Sequence, residues 1–286
     1  MINYWERGDH SWSEDSLRFI HTPTQKSQEL FYYIQEIGHF KARKPYYTER
    51  ANLPSFLIKY TLSGTGTLIY NENQYSIKPG DIFFIDCQQY QYYKTTSEKP
   101  WEMCWLHFNG ANTQAFYQEF IKNGTNVFHT NNNHIYLIIQ NLLRLEHGQS
   151  AQTDFLVSLS IHELLNELII QKQELDFKTK DIPTYIVCLK DYLDVHFKDK
   201  ITLMKLEKQY NINKYQLTKE FSRYIGIPPI EYHIANKITY SKDLLRSSDA
   251  TIKMIALEIG IENVAYFSRL FKQKTGLTPS QYRKIG

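Results

Sequence analysis

The chain has 286 residues, 42% hydrophobic and 22% charged, the balance of a folded globular protein rather than a disordered one. That length allows two domains, each with its own core. The net charge of +3 hides a division, because residues 184–286 hold 17 Lys/Arg against 10 Asp/Glu and the rest hold 16 against 20. A basic excess confined to the C-terminal end is expected of a part that meets a polyanion.

No apolar run approaches the roughly 18 residues of a membrane span. The opening MINYWERGDHSWSED is polar and mixed in charge, unlike a secretion signal. Cys87, Cys104 and Cys188 are odd in number and widely spaced. They suit neither a disulfide framework nor a zinc site, and read as small buried apolar residues in a reducing cytoplasm.

Residues from about 30 to about 110 read as strands. In FLIKYTLSGTGTLIYNENQYSIKPGDIFFI, apolar runs of strand length are broken by SGTG, NENQ and KPGD. Gly64 and Gly66 relieve a tight turn there, and Pro79-Gly80-Asp81 punctuates the next. Short strands joined this closely imply an antiparallel sandwich or barrel.

From Asn131 the period becomes helical. Ile135, Ile138, Ile139, Leu142 and Leu145 recur at helix spacing, and Gly148 can end that helix. A second helix carries Val157, Ile161, Leu164 and Leu168 on one stripe, with Leu165 and Ile169 beside it. Together the pair holds more apolar residues than one buried face needs, which predicts a dimer interface. Packing on the chain's own barrel is the alternative. DFKTKDIP then reads as a linker, and the chain stays helical to its end.

One short helix occurs twice, as NKYQLTKEFSRYIG from Asn213 and NVAYFSRLFKQKTG from Asn263. Asn213/Asn263, Phe221/Phe271, Gly226/Gly276, Pro229/Pro279 and Tyr232/Tyr282 are identical at an offset of 50. Asn caps the helix start, Phe faces inward, Gly ends the helix left-handed, and Pro opens the next segment. A shorter helix precedes each copy across a turn containing Asn211 or Gly260, both tolerant of positive φ. This is a helix-turn-helix, present twice. Tyr215, Thr218, Lys219 and Ser222 form the outer face of the first copy, and Ala265, Ser268, Arg269 and Lys272 that of the second. Basic, hydroxyl and small residues on one stripe suit a helix in the major groove of double-stranded DNA. A solvated face is the plainer reading, and the matched copies favour recognition. A helix between the copies, Pro229 to Arg246, would be about 27 Å long and set the two roughly one DNA turn apart.

IALEIGIENVAYFSRLFKQKTGLTPSQYR, with the first copy before it, resembles the DNA-binding domain of AraC/XylS-type bacterial transcription regulators. The first copy departs by carrying Glu207 and Asn211 where that family has Ala and Gly. YTLSGTGTLIYNENQYSIKPGDIFFIDCQQYQYY and WEMCWLHFNG resemble the family's cupin-like effector-binding barrel. That resemblance implies an α+β chain with a cupin-like antiparallel barrel over 1–128, a helical dimerisation segment over 129–175, a linker over 176–183 and a double helix-turn-helix domain over 184–286. By motif position Arg50, Tyr92 and Trp105 correspond to sugar-contacting residues of sugar-sensing relatives, and Met103 stands where those relatives have a histidine. A guanidinium fork and flat aromatic faces suit a sugar; the plain alternative is that the Trp and Tyr fill the barrel and Arg50 pairs with a carboxylate. The chain is therefore expected to be a cytoplasmic activator that dimerises through its central helices and responds to a carbohydrate effector, and the resemblance implies adjacent direct-repeat half-sites and contact with RNA polymerase.

An enzyme is not expected. Metal sites in such barrels need clustered His and Glu, and the strands FLIKYTLSGTGTLIY and DIFFIDCQQYQYY contain no histidine. His107 reads as a packed or rim residue. No phosphate-binding glycine loop, HExxH or serine elbow is present, so no catalytic residue, metal or cofactor is assigned. A third reading, a regulator whose barrel only dimerises, fits the 42 aromatic residues equally well.

Overall fold

The computed structural model describes residues 3–147, 152–177 and 182–285. Packing divides the chain into two compact units, Met1–Lys178 and Thr179–Gly286.

The N-terminal unit contains β1 (Trp5–Asp9), β2 (Leu17–Ile20), α1 (Gln25–Leu30), β3 (Tyr32–Ala42), β4 (Tyr47–Ala51), β5 (Phe56–Ser63), β6 (Gly66–Tyr70), β7 (Asn73–Ile77), β8 (Asp81–Asp86), β9 (Gln91–Thr95) and β10 (Trp101–Gly110). Then come α2 (Thr113–Phe120), β11 (Val127–His129), α3 (His134–His147) and α4 (Thr153–Phe177). The strands form two antiparallel sheets, ordered β1-β4-β9-β6-β7 and β11-β8-β5-β10-β3-β2. The expected barrel is therefore an open sandwich. Among the described residues the outer strands β1, β7, β11 and β2 each pair on one side only. Large side chains between the sheets hold them apart, chief among them the fully buried Trp101.

Gly64, at φ +69°, serves the tight turn as expected. Gly66 has another role, since a Cβ there would lie 2.6 Å from the Trp101 ring. It lets the indole lie flat against the backbone.

Strands β5, β8 and β10 are buried on both faces, which explains their nearly unbroken apolar runs. Leu57, Phe83, Met103 and Trp105 point between the sheets, whereas Ile58, Tyr60, Phe84, Leu106 and Phe108 point at the helices. There they meet Ile135, Ile138, Ile139, Leu142, Val157, Ile161, Leu164 and Leu168. The helical stripe read from the sequence is thus covered by the chain's own sheet. The apolar surplus is a second face, with Leu137, Phe155, Leu156, Leu159 and Ile170 exposed. Gly148 and residues 178–181 of the expected linker lie outside the described residues.

The C-terminal unit contains α5 (Thr184–Val195), α6 (Leu203–Tyr210), α7 (Lys214–Ile225), α8 (Pro229–Ser247), α9 (Ile252–Glu258), α10 (Val264–Thr275) and α11 (Pro279–Ile285). It has two small cores. Leu189, Leu193, Leu206, Leu217 and Phe221 make the first; Ile238, Leu245, Ile255, Phe267 and Phe271 make the second. Helix α8 belongs to both, through Ile230 and Tyr232 on one and Ile238 and Leu245 on the other. Cys87 and Cys104 are buried, but Cys188 is exposed. Helix α5 turns Ile186, Leu189 and Leu193 inward, and position 188 falls outside that stripe.

Candidate nucleic-acid interface and inter-sheet pocket

Helices α7 and α10 are built alike. The Asn213 side chain accepts from the Tyr215 amide and the Asn263 side chain from the Tyr266 amide, each at 2.9 Å. Gly226 and Gly276 close the helices at φ +92° and +80°. Asn211 adopts φ +50° at the end of α6, so the first turn survives without glycine. Glu207, the other departure, acts as a cap. Its carboxylate accepts the Lys214 amide at 3.1 Å, satisfying an otherwise orphaned donor at the start of α7. The second motif is capped from outside, where the buried Lys237 ammonium of α8 donates to the Ile259 and Lys198 carbonyls.

Inward residues Leu217, Phe221, Phe267 and Phe271 are completely buried. The opposite faces present Tyr215 and Lys219 on α7, and Ala265, Arg269 and Lys272 on α10, all exposed. Thr218, Ser222 and Ser268 lie half-buried at the margins of those faces. Lys219, Arg269 and Lys272 have no ion-pair partner among the described residues, which leaves their charges available to an outside anion. Thr218 Oγ1 is buried without a partner among the described residues, beside a surface groove that Met204, Tyr215 and Lys219 also line.

In the N-terminal unit a pocket of about 40 Å³ opens between the sheets, room for about three waters. Arg50 from β4 and Trp105 and His107 from β10 line it, together with Tyr93 and Lys59. The Arg50 guanidinium donates to the Tyr93 hydroxyl at 3.1 Å, to His107 Nε2 at 2.5 Å and to the Glu6 carboxylate at 3.4 Å. Burial opposes the charge of Arg50, but Tyr93, Cys87 and Glu6 together raise its pKa above the ordinary value. His107 is held neutral, its pKa driven well down by burial and by Arg50 and Lys59. Its Nδ1 meets Ser55 Oγ at 3.1 Å.

Of the three residues expected at an effector, Arg50 and Trp105 meet at this pocket and Tyr92 does not. On β9 the residues Gln91, Tyr93 and Thr95 face inward, so Tyr92 lies on the outer face beside Tyr47. Strand side chains alternate, and a one-residue difference in register reverses the face. Tyr93 takes the inward place. Met103 is fully buried between the sheets among apolar residues. Sequence reasoning passes over Lys59, although its signal is visible: one charge in the middle of the apolar strand FLIKYTL.

Residues 206–285 match the family model of a helix-turn-helix domain, and residues 35–169 match that of an AraC-like ligand binding domain. The two matches fall on the two units described above. The chain belongs to the AraC/XylS family of transcription regulators. Similar relatives include the MmsAB operon regulatory protein of Pseudomonas aeruginosa, 25% identical over 88% of this chain and 82% of that protein. The raffinose operon transcriptional regulatory protein RafR of Pediococcus pentosaceus is 25% identical over 84% of this chain and 89% of its own length. The arabinose operon regulatory protein of Salmonella typhimurium is 22% identical over 81% and 84%.

As an AraC-family regulator the chain pairs a ligand-binding unit with a double helix-turn-helix unit. Among the described residues, no group of three or more His, Cys, Asp or Glu could hold a metal ion, and no helix is long and apolar enough to cross a membrane.

Proposed function

We propose that this regulator works in the cytoplasm as a homodimeric activator, placing α7 and α10 of each subunit in adjacent major grooves of duplex DNA. One observation carries the reading. Two equivalent helices, capped and seated alike, differ on their exposed faces, where Tyr215, Thr218, Lys219 and Ser222 in one answer Ala265, Ser268, Arg269 and Lys272 in the other. Arg and Lys can read guanine, hydroxyls either edge, and Ala a thymine methyl. Helix α8, at 19 residues about 28 Å long, joins the two cores and sets the helices' separation.

The exposed apolar face of α3 and α4 supports dimerisation, since Leu137, Phe155 and Leu159 stand in solvent in the single chain. A small-molecule effector in the inter-sheet pocket, touching Arg50, Trp105 and Tyr93, then biases how the DNA-binding units are presented. Two of the relatives above carry the names of sugar operons, which supports a carbohydrate or carbohydrate-derived effector. Contact with RNA polymerase follows from the family resemblance. The pocket is small, so an effector must displace part of its wall, and the β1 segment bearing Glu6, held to Arg50 by a bond of 3.4 Å, forms part of that wall.

The test is selection of random duplexes by the purified protein. Enrichment of a two-part site with parts about one helical turn apart supports the reading, and an unenriched pool sinks it. The other reading, a unit that only dimerises, predicts no saturable ligand response.

A further inference from the structure

Lys59 is the least expected side chain in the molecule. It stands on β5, opposite Trp105 of β10 and Phe83 of β8, and is only 1% exposed. Its ammonium lies 3.8 Å from the Tyr93 ring centroid, 5.3 Å from that of Trp101 and 5.9 Å from that of Tyr46. No hydrogen-bond acceptor or carboxylate serves it among the described residues. Buried ammonium groups are otherwise paired, because removing them from water is costly.

The surrounding charges do not answer it. Arg18 is matched by Glu36 at 3.0 Å, and the one carboxylate near Arg50, Glu6, is 3.4 Å away. His107 is neutral, Tyr46 and Tyr93 keep their protons because burial raises both, and His10 packs edge-on against Trp12. Burial and Arg50 press the Lys59 ammonium well below the ordinary lysine range. The Trp105 indole N–H is also buried without an acceptor among the described residues. Beside the paired Arg18 and Glu36, the pocket is therefore lined by Arg50, the unpaired Lys59 nitrogen and an idle indole donor, with Trp12, Phe40, Tyr46, Tyr93 and Trp105 as its aromatic walls.

We propose that the effector is an anionic sugar derivative, a sugar acid or sugar phosphate, whose oxyanion is held by Lys59, Arg50 and the Tyr93 hydroxyl and whose ring lies on Trp105. This rests on the effector reading above and narrows it. Glu6 occupies the same ground weakly: its Oε2 takes a long bond from Arg50 and a hydroxyl bond from Tyr4. The ligand's oxyanion replaces that carboxylate, so Glu6 competes with the ligand.

Thermal melting of the full chain tests this with glucose and galactose beside glucuronate, galacturonate and glucose 6-phosphate. A ligand that binds only the folded state raises the Tm saturably. The expected result is a rise with a charged compound and none with its neutral parent; a uronate response identifies a carboxylate and an ester response a phosphate. Lys59→Met should melt at or above the wild-type temperature without ligand and bind the active compound about 100-fold more weakly, as loss of one buried charge partner does. Glu6→Gln should lower the half-saturating concentration, and it tests the competition even if the Lys59 variant fails to fold. A neutral sugar that stabilises wild type and Lys59→Met alike overturns this proposal and leaves the effector reading standing. Silence from every compound overturns both.

Discussion

The two helix-turn-helix motifs solve one problem with different parts. In the second, Gly260 sits at φ +69° with the Lys198 carbonyl so close that an added Cβ would lie 1.9 Å from it. In the first, Asn211 makes the left-handed turn with a side chain and is exposed. At the second turn Lys237 of α8 donates to the Ile259 carbonyl that ends α9, whereas at the first Glu207 of the motif itself accepts the Lys214 amide that starts α7. A turn's backbone angle can thus be met by several residues, but a turn pressed against neighbouring backbone admits one.

Breaking the two turns measures that contrast most directly. Gly260→Ala should destabilise the C-terminal unit by roughly 3–4 kcal/mol, combining strain with backbone displacement. Asn211→Ala should cost only about 1–2 kcal/mol, the left-handed penalty alone. Denaturant unfolding followed by helical circular dichroism compares them; equal costs would mean that the Lys198 contact yields freely.

The outer faces come next. Arg269→Ala should weaken specific binding by about 1–3 kcal/mol and relax one base position. A loss equal on specific and random duplexes would make Arg269 a phosphate contact. Lys219→Ala should act in the other half-site, and an unaltered footprint there would show that the first motif contributes little.

Smaller still is the cap. Glu207→Ala removes one acceptor from the Lys214 amide and should cost about 0.5–1.5 kcal/mol, with the second motif's footprint unchanged. A variant as stable as wild type would remove the capping role.

The last effect depends on pH. Lys237 in the folded unit has a pKa lowered by burial to about 8, against about 10.4 in the unfolded chain. Between those values the unfolded state binds more protons, so this group's contribution to stability rises with pH. The wild-type Tm minus that of Lys237→Met should therefore climb from pH 8 toward about pH 10. A flat difference would show that the ammonium keeps its proton through the Ile259 and Lys198 carbonyls.

Much of this protein is legible in its residues alone. Helix signals are local: the Asn213 and Asn263 caps, the Gly226 and Gly276 stops, and the inward pairs Leu217/Phe221 and Phe267/Phe271 each act within a turn or two. The repeat, the two motifs and their outward faces follow from that locality, as does the stripe of α3 and α4. What that stripe packs against is not local, and the chain's own sheet takes it. The sandwich interior is settled by long-range packing for the same reason. Side chains alternate every residue along a strand, so the choice of Tyr93 over Tyr92, and the sealing of Lys59 among aromatic rings without a counter-charge, depend on pairings between strands far apart in the chain. Sequence order determines which residues a helix presents; only the packed sheets decide which charges are left facing one another in a pocket.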